Sequence, residues 1–319
     1  MIKCLALIFL MAMTAVCGAW ERLDGTLIRV GLDSDAPAPP ASPTASTDKA
    51  AADNATPSEA AFCDGVTFTR NLKYGDHHLN VLDVASAQAP GAKRPVIVFV
   101  AGDTFASEGK TSATSPLVEQ AMCFAGHNGL VAFSMSYRLA PAAPWPAGAR
   151  DVAAAISWVH ENADLFGGNK DEVIPVGYAA GAFHLASFLA HSELQDSDSY
   201  VAGAVLVSGI YRPDSDPGEA EKSYFGSDTS KYDGQSSLPG LTKIEVPLVV
   251  AWSKVDAHRL VAQGEKLKDI LCGAGHCPRF ALLSKASSPA SIFDLDGASA
   301  DLHDRLRQLI GQIDARGLP

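Results

Sequence analysis

The residues best placed to do chemistry lie in a glycine-bracketed turn near the middle of the chain. The apolar run 172–177 leads into Gly-Tyr-Ala-Ala-Gly at 177–181, and an apolar helical pattern follows. A tight turn between a strand and a helix exposes its central side chain, and a serine there is a nucleophile for acyl transfer. The central residue here is Ala179, which has no hydroxyl. The next residue, Ala180, has the backbone N–H that such turns direct at a developing oxyanion.

The chain that must position this turn alternates between strand-like and helical patterns. Eight apolar runs follow residue 62, and helical patterns separate the later ones. These runs are 66–70, 79–84, 95–101, 129–135, 172–177, 201–208, 247–252 and 279–283. The alternation predicts an α/β fold, with a mostly parallel eight-stranded sheet covered by helices. Pro175 is awkward in a central strand because proline cannot donate to the ladder.

Short motifs in a fixed order precede the turn. They are Ser-Tyr-Arg-Leu-Ala-Pro at 136–141, Trp-Pro at 145–146, Asp151, Trp158 and Phe-Gly-Gly at 166–168. Together with the turn, this series resembles the carboxylesterase and hormone-sensitive-lipase-like group of α/β-hydrolases, which is close to the kynurenine formamidases. The resemblance extends from about residue 66 to the C-terminus and implies the α/β-hydrolase fold.

The resemblance assigns the family's catalytic triad to three positions. The serine nucleophile falls on Ala179 and the acid on Asp256, which follows the run 247–252. The histidine falls on Ser288, within a stretch, 284–291, that contains no histidine. The resemblance therefore implies that the acid is retained, whereas the nucleophile and the base are lost.

The family's oxyanion loop also differs in this chain. It usually reads His-Gly-Gly-Gly, because glycines let backbone N–H groups approach the developing charge. Here Gly102 and Asp103 stand in that loop, with Ala180 as the third oxyanion position. A carboxylate about 4 Å from an oxyanion opposes it by roughly 4 kcal/mol at an effective dielectric near 20. An inward-pointing Asp103 is therefore expected to disfavour the family's transition state.

Other titratable residues have simpler explanations. Three histidines are expected to pack or to face solvent rather than to act as a base: His184, His258 and His303. Asp256 is expected to cap the helix that follows it, since an aspartate there accepts backbone N–H bonds. The alternative is that Asp256, with Tyr178 and Asp103, positions a water molecule for general-base hydrolysis.

Aromatic residues are the candidates for a ligand pocket. The segment 211–245 resembles the family's cover over the pocket mouth, although it could also be plain loop. Four residues are predicted to line the pocket: Phe105, Tyr178, Tyr224 and Phe225. Because ligand pockets are mostly apolar, the expected partner is a small apolar or ester-like molecule.

Composition limits the other classes of partner. The chain has 319 residues and a formal net charge of −11, and no cluster of Lys and Arg that could bind nucleic acid. One catalytic-sized domain is expected over 62–319. No cofactor and no metal is expected, because Cys272, His276 and Cys277 lack a nearby fourth ligand.

The N-terminal segment predicts export. Lys3, the apolar run 5–16 and the small residues after it are typical of a signal peptide over 1–19, and the run is too short to span a membrane comfortably. The protein is therefore expected to be secreted or periplasmic, with lipidation of Cys17 as a less favoured alternative. Residues 20–61 combine a short unassigned segment with a linker rich in Ala, Pro, Ser and Thr, which is predicted to be disordered.

Four cysteines remain after the signal peptide. Cys272 and Cys277 bracket Gly-Ala-Gly-His, a loop flexible enough to close a disulfide, and are predicted to form one. Cys63 and Cys123 are either a second pair or free buried thiols.

Two functions are consistent with these observations. The joint departure of nucleophile, base and oxyanion loop predicts a non-catalytic binding or scaffold protein, as the plant gibberellin receptors, which look like members of this superfamily, are for a hormone. The alternative is a carboxylesterase- or amidase-type hydrolase with an unusual or residual mechanism.

Overall fold

The computed structural model describes residues 19–23, 26–30, 63–87, 93–100, 102, 105–106, 115–196, 199–295, 297 and 299–316. Nearly all of the predicted signal peptide and linker, and Asp103, lie outside these residues. The chain divides into a unit over 1–46 and a unit over 47–319. The first unit contains an antiparallel hairpin of β1 (Ala19–Leu23) and β2 (Thr26–Val30) in the segment that sequence reasoning left unassigned.

The second unit is built on an eight-stranded sheet in the described part of the chain. Its strands are β3 (Val66–Lys73), β4 (Val81–Ala87), β5 (Arg94–Val100), β6 (Val131–Met135), β7 (Gly168–Tyr178), β8 (Ala204–Val207), β9 (Leu248–Ser253) and β10 (Arg279–Leu283). Their order is β10-β9-β8-β7-β5-β6-β4-β3, and only the pairings of β4 with β3 and β6 are antiparallel. The predicted fold is confirmed, and each of the eight predicted runs overlaps one strand.

Helices cover both faces of the sheet. The α-helices of the described residues are α1 (Pro116–His127), α2 (Ala147–Asn162), α3 (Ala180–Ala190), α4 (Glu219–Phe225), α5 (Leu238–Leu241), α6 (His258–Gly273) and α7 (Ala300–Arg316). The apolar faces of α2, α3 and α6 share one core cluster with the strands. Those of α1 and α7 share the cluster on the opposite face. Both faces of the sheet are therefore buried, as parallel sheets require.

Pro175 lies in β7 just before the first residue of that strand that pairs with β8. Ala202 donates its N–H to the Val173 carbonyl, so main-chain groups of that parity in β7 face β8. Pro175 has the same parity, and the β7–β8 ladder begins only at Val176. Proline's lack of an N–H therefore falls at the edge of the β7–β8 pairing and does not interrupt it.

Two disulfides close loops of different size. Cys272 and Cys277 are bridged across the end of α6, which agrees with the prediction. Cys63 and Cys123 form the second bridge, over a sequence separation of 60, so they are a pair and not free thiols. Within the described residues, no helix combines the length and the apolar character needed to cross a bilayer.

Candidate functional site

The turn between β7 and α3 has the strained backbone of a nucleophile elbow. Ala179 has φ 50° and ψ −115°, and a non-glycine residue in such a region costs about 1–3 kcal/mol. Its N–H donates to the Val207 carbonyl at 3.0 Å, which ties the elbow to β8. A Cβ on Gly177 would lie 2.6 Å from the Ala182 Cα, so the elbow requires glycine at 177. The elbow keeps its conformation although its central side chain is a methyl group.

The predicted oxyanion donor is already engaged. The Ala180 N–H donates to the Gly102 carbonyl at 3.0 Å. A Cβ on Gly102 would overlap the Tyr137 hydroxyl, so only glycine fits where this loop approaches the elbow. An incoming carbonyl oxygen would have to replace the Gly102 oxygen at Ala180.

Asp256, the predicted acid, is held by serines that the sequence motifs did not mark. The Oδ2 atom of Asp256 accepts a hydrogen bond from the Ser208 hydroxyl at 2.5 Å and from the Ser253 N–H at 2.9 Å. Its Oδ1 atom accepts a longer bond from the Ser287 hydroxyl at 3.4 Å. The expected capping role of Asp256 is wrong, because Ala257 occupies the cap position of α6 and no side-chain cap bond forms there.

Ser287, and not Ser288, meets the acid. The Ser288 N–H donates to the Ser291 hydroxyl at 3.0 Å, and the two hydroxyls lie 3.3 Å apart in a capping box. The Tyr178 hydroxyl donates to the Ser287 carbonyl at 2.8 Å. The structure therefore brings Asp256, Ser287 and Tyr178 together and places the Ser288 hydroxyl in a helix cap. The assignment of the lost histidine to Ser288 stays a prediction.

Three of the predicted pocket residues pack against one another. Phe105, Tyr224 and Phe225 are all buried. The Phe105 ring centroid lies 4.9 Å from that of Tyr224, in a stacked arrangement, and 5.1 Å from that of Phe225. Phe183 of α3 completes the cluster, 4.9 Å from Phe225. These rings form a small core of their own beside the elbow, so ligand entry here requires them to separate.

His184 lies within reach of this aromatic core. Its Nδ1 is 3.2 Å from the Tyr224 hydroxyl, and burial lowers the pKa of His184 to about 3. The imidazole is therefore neutral near pH 7 and fully enclosed, which fits a packing role. His258 is exposed in the first turn of α6, and His303 packs against the rings of Phe124 and Phe293.

The segment 211–245 is fastened to α6, the helix that follows Asp256. The Gln263 side chain accepts from the N–H of Tyr211 at 3.0 Å and donates to the Arg212 carbonyl at 2.8 Å. The Arg259 guanidinium forms an ion pair with the buried Glu221 of α4. Arg259 also lies 3.9 Å from Asp214, so charged contacts join the segment 211–245 to the helix that follows Asp256.

The described residues form no metal site, and the cavity they contain lies away from Asp256. No group of three His, Cys, Asp or Glu side chains there is arranged to hold a metal. A cavity of about 470 Å³ has Leu248 and Arg279 in its wall, the first residues of β9 and β10. Asp256 follows the opposite end of β9, so this cavity and the acid lie at opposite edges of the sheet.

The strand order and the elbow define the class of protein. They place the chain among the α/β-hydrolases, in the carboxylesterase and hormone-sensitive-lipase-like group. Within that class the chain belongs to the BD-FAE family, whose model matches residues 82–253, more than half of the chain.

Two relatives of the chain have esterase names. The chain is 32% identical to Esterase LipQ of Mycobacterium tuberculosis over 154 residues, which are 45% of this chain and 35% of that protein. It is 30% identical to Esterase LipC of the same organism, over 44% of this chain and 36% of that protein. The match therefore spans about a third of the length of these relatives.

Solved structures share the fold at low identity. A truncated carbohydrate esterase from gut microbiota superposes with a TM-score of 0.64 at 17% identity, over 78% of this chain and 96% of that chain. A bacterial heroin esterase superposes with a TM-score of 0.57 at 19% identity, over 82% of this chain and 88% of that chain.

These comparisons overturn the expectation of a non-catalytic protein. The relatives are named esterases, and their names favour the hydrolase alternative. The expectation took the joint departure at residues 179, 288 and 103 as loss of catalysis. Triad members act as a unit, so a site that lacks two of them can still accelerate hydrolysis about 10³- to 10⁴-fold over water, through the groups that remain.

Proposed function

We propose that this protein is a hydrolase of carboxylic esters in which Asp256 acts as a general base on water. The observation that carries the proposal is the placement of Asp256. Its carboxylate is held by Ser208 and Ser253, and Ser208 directly follows Val207, whose carbonyl binds the elbow N–H. The acid is therefore linked to the elbow through two adjacent residues of one strand end.

The reaction balances without a covalent intermediate. The water oxygen attacks the ester carbonyl carbon while the Asp256 carboxylate takes a proton from the water. The tetrahedral intermediate then expels the alkoxide, which takes that proton back, so an acid and an alcohol leave. Ala180 supplies an N–H for the oxyanion once the Gly102 carbonyl has been displaced. A positioned general base contributes about 10²- to 10⁴-fold, so we expect slow but measurable turnover.

The substrate class follows from the aromatic core and the relatives. Phe105, Tyr224 and Phe225 offer an apolar surface beside the elbow once they separate. This surface supports a small ester with an apolar group as substrate, in line with the esterase names of the relatives.

We also propose that the protein works outside the cytoplasm. The disulfides Cys63–Cys123 and Cys272–Cys277 support this location, because such bonds persist in oxidising compartments. The predicted signal peptide supplies the route.

The test is hydrolysis of p-nitrophenyl acetate and butyrate by the full chain. Asp256→Asn keeps the shape of the side chain and removes the base, so kcat/KM should fall at least about tenfold. The matched control is Asp301→Asn, which removes a half-exposed carboxylate of α7 and should change nothing. Wild-type turnover no faster than buffer, or turnover that Asp256→Asn leaves intact, would refute the proposal.

A further inference from the structure

We infer that Ser208 is a positioning residue for Asp256, and that Oδ1 of Asp256, not Oδ2, is the atom that takes the proton from water. The inference rests on the proposed function and goes beyond it by assigning the two carboxylate oxygens different roles. Neither the motifs of the sequence nor the similarity to esterases singles out Ser208.

The backbone of Ser208 is the first observation. Among the described residues, positive φ outside glycine occurs at Asn71, Ala179, Ser208 and Asp294. Asn and Asp visit this left-handed region more readily than other residues, because their short polar side chains bond locally. Ala179 and Ser208 have no such preference, and both lie at the candidate site. Ala179 is the centre of the elbow, so Ser208, at φ 50°, is the second strained residue that the site retains.

The strained backbone delivers the Ser208 hydroxyl to the acid. Ser208 is 3% exposed, and its N–H donates to the Ala251 carbonyl at 2.9 Å, which fixes it between β8 and β9. The hydroxyl then reaches Asp256 Oδ2 at 2.5 Å. A glycine would adopt the same φ without strain but has no hydroxyl to offer. The serine is therefore explained by its contact with Asp256.

The two oxygens of Asp256 have different surroundings. Oδ2 accepts both short bonds, from Ser208 and from the Ser253 N–H. Oδ1 accepts, among the described residues, one bond of 3.4 Å from Ser287. Donors reduce the basicity of the oxygen that they bind, so the proton is expected on the oxygen with the weaker contact. Ser208 thus fixes the plane of the carboxylate and leaves Oδ1 to the reaction.

The step itself is a proton transfer. The water O–H bond breaks as its oxygen bonds to the ester carbonyl carbon, and the proton moves to Oδ1. When the alkoxide leaves, the proton passes from Oδ1 to its oxygen. No oxidant, metal or second substrate enters the balance.

Charged and titratable neighbours are common to every variant in the test. They lie on the three segments around Asp256: Lys254 and His258 beside it in the chain, Lys285 in the loop of Ser287, and Tyr178 at the end of β7, bonded to Ser287. None of these groups is altered in Ser208→Gly, so a change in kcat on altering Ser208 reports the lost hydroxyl.

The decisive variant is Ser208→Gly, measured by kcat and KM of ester hydrolysis. It removes the hydroxyl and also relieves the positive φ, so the melting temperature should stay level or rise. Because the carboxylate loses a hydrogen bond that fixes its plane, kcat should fall about tenfold, as expected for a lost hydrogen bond to a charged group, while KM changes little. Asn71→Gly is the matched control, since it relieves the same backbone strain away from the site and should leave both constants unchanged.

A measurement that needs no turnover completes the test. The ¹³C NMR chemical shift of the Asp256 carboxyl at neutral pH should change in Ser208→Gly, which removes a hydrogen bond to that group, and stay in place in Asn71→Gly. If wild-type turnover depends on Asp256 but neither kcat nor this chemical shift changes in Ser208→Gly, Ser208 does not position the acid and the proposed function stands. If the chemical shift changes but the wild type has no turnover, the proposed function and the role of Oδ1 both fail, while the Ser208 contact is retained.

Discussion

Ala179 has the backbone conformation of a nucleophile elbow but not the hydroxyl of a nucleophile. The φ of 50° at Ala179 is imposed by Gly177 and by the bond from its N–H to Val207, and none of these contacts involves a side-chain oxygen. A serine placed at 179 would therefore find an elbow already formed. What it would lack is the histidine that joins a serine nucleophile to the acid, because the residue that contacts Asp256 is Ser287.

A pair of double variants tests this view at the scale of single residues. Ala179→Ser alone should add little, because a hydroxyl without a base is a weak nucleophile and triad members act as a unit. Ala179→Ser with Ser287→His should give clear p-nitrophenyl ester hydrolysis and labelling of residue 179 by a fluorophosphonate probe, since position 287 faces Asp256.

Ala179→Ser with Ser288→His is the matched comparison. The Ser288 hydroxyl lies in the capping box with Ser291, so histidine at 288 should be much less effective. If the variant with Ser288→His is more active than the variant with Ser287→His, position 288 is the one that corresponds to the family's histidine. Fast hydrolysis by Ala179→Ser alone would mean that another base is already in place.

Site residues were predictable only where a motif marked them. Ala179 and Asp256 follow apolar strand runs in family motifs, and the structure places Ala179 at the centre of a strained turn and Asp256 among three serines. Ser208 and Ser287 reach Asp256 across sequence separations of 48 and 31 residues. Such contacts depend on the order of β8, β9 and β10 in the sheet, which no local pattern encodes.

At the scale of elements, Arg259 joins α6 to the helix that carries two rings of the aromatic core. Arg259 of α6 contacts the buried Glu221 of α4 and lies 3.9 Å from Asp214, while α4 carries Tyr224 and Phe225. Separating the aromatic rings requires α4 to move away from α6. The pair therefore acts against ligand entry.

Glu221→Gln should make entry easier. It keeps the side-chain shape and weakens a contact worth about 1 kcal/mol, so opening should increase about fivefold. Larger substrates need more opening, and kcat/KM for p-nitrophenyl octanoate should rise relative to that for the acetate. Asp233→Asn, which breaks the exposed pair with Arg212 in the same segment, is the control and should leave the ratio unchanged. A ratio that is equal in both variants would exclude the Glu221 contact as a restraint.

Strands were predicted better than the hairpin for a physical reason. The inner strands β5, β6, β8 and β9 are buried apolar runs, and burial on both faces gives a continuous apolar pattern that can be recognised from the local sequence alone. The hairpin β1–β2 has two five-residue strands, and Trp20 to Leu32 has no long apolar run. Its pairing depends on contacts between the strands, which composition does not reveal.

At the scale of the whole molecule, the two disulfides should contribute unequally to stability. The loop-entropy relation gives about 4 kcal/mol for the Cys63–Cys123 bridge, across 60 residues, and about 2 kcal/mol for Cys272–Cys277, across 5. Cys63→Ala/Cys123→Ala should therefore lower the free energy of unfolding in urea more than Cys272→Ala/Cys277→Ala does. Peptide mapping without reduction should recover both pairings. Equal losses would contradict the loop-length argument.

Acid should destabilise the whole fold through His184. Burial lowers its pKa from 6.5 to about 3, so the unfolded chain binds a proton between these values that the folded protein does not. Its contribution to stability is therefore complete above pH 6.5 and is lost as the pH falls toward 3, by up to about 1.4 kcal/mol per pH unit. His184→Gln should flatten this dependence in urea unfolding, whereas Tyr224→Phe, which keeps the imidazole, should preserve it. If the free energy of unfolding of His184→Gln depends on pH as steeply as that of the wild type, another group causes the loss of stability in acid.

Because the Ala180 N–H is bonded to the Gly102 carbonyl, that carbonyl competes with a substrate oxygen for the same donor. The Gly102 carbonyl occupies the N–H that a substrate carbonyl must use, so binding exchanges one amide acceptor for another and gains little free energy at that atom. The Gly102 carbonyl is part of the same chain, so its local concentration does not depend on that of the protein. It is displaced best by an oxygen that carries more negative charge than an amide oxygen. The tetrahedral oxyanion is such an oxygen and an intact ester is not. Saturation should consequently require high ester concentrations, while phosphonate-like anions should inhibit at concentrations well below KM.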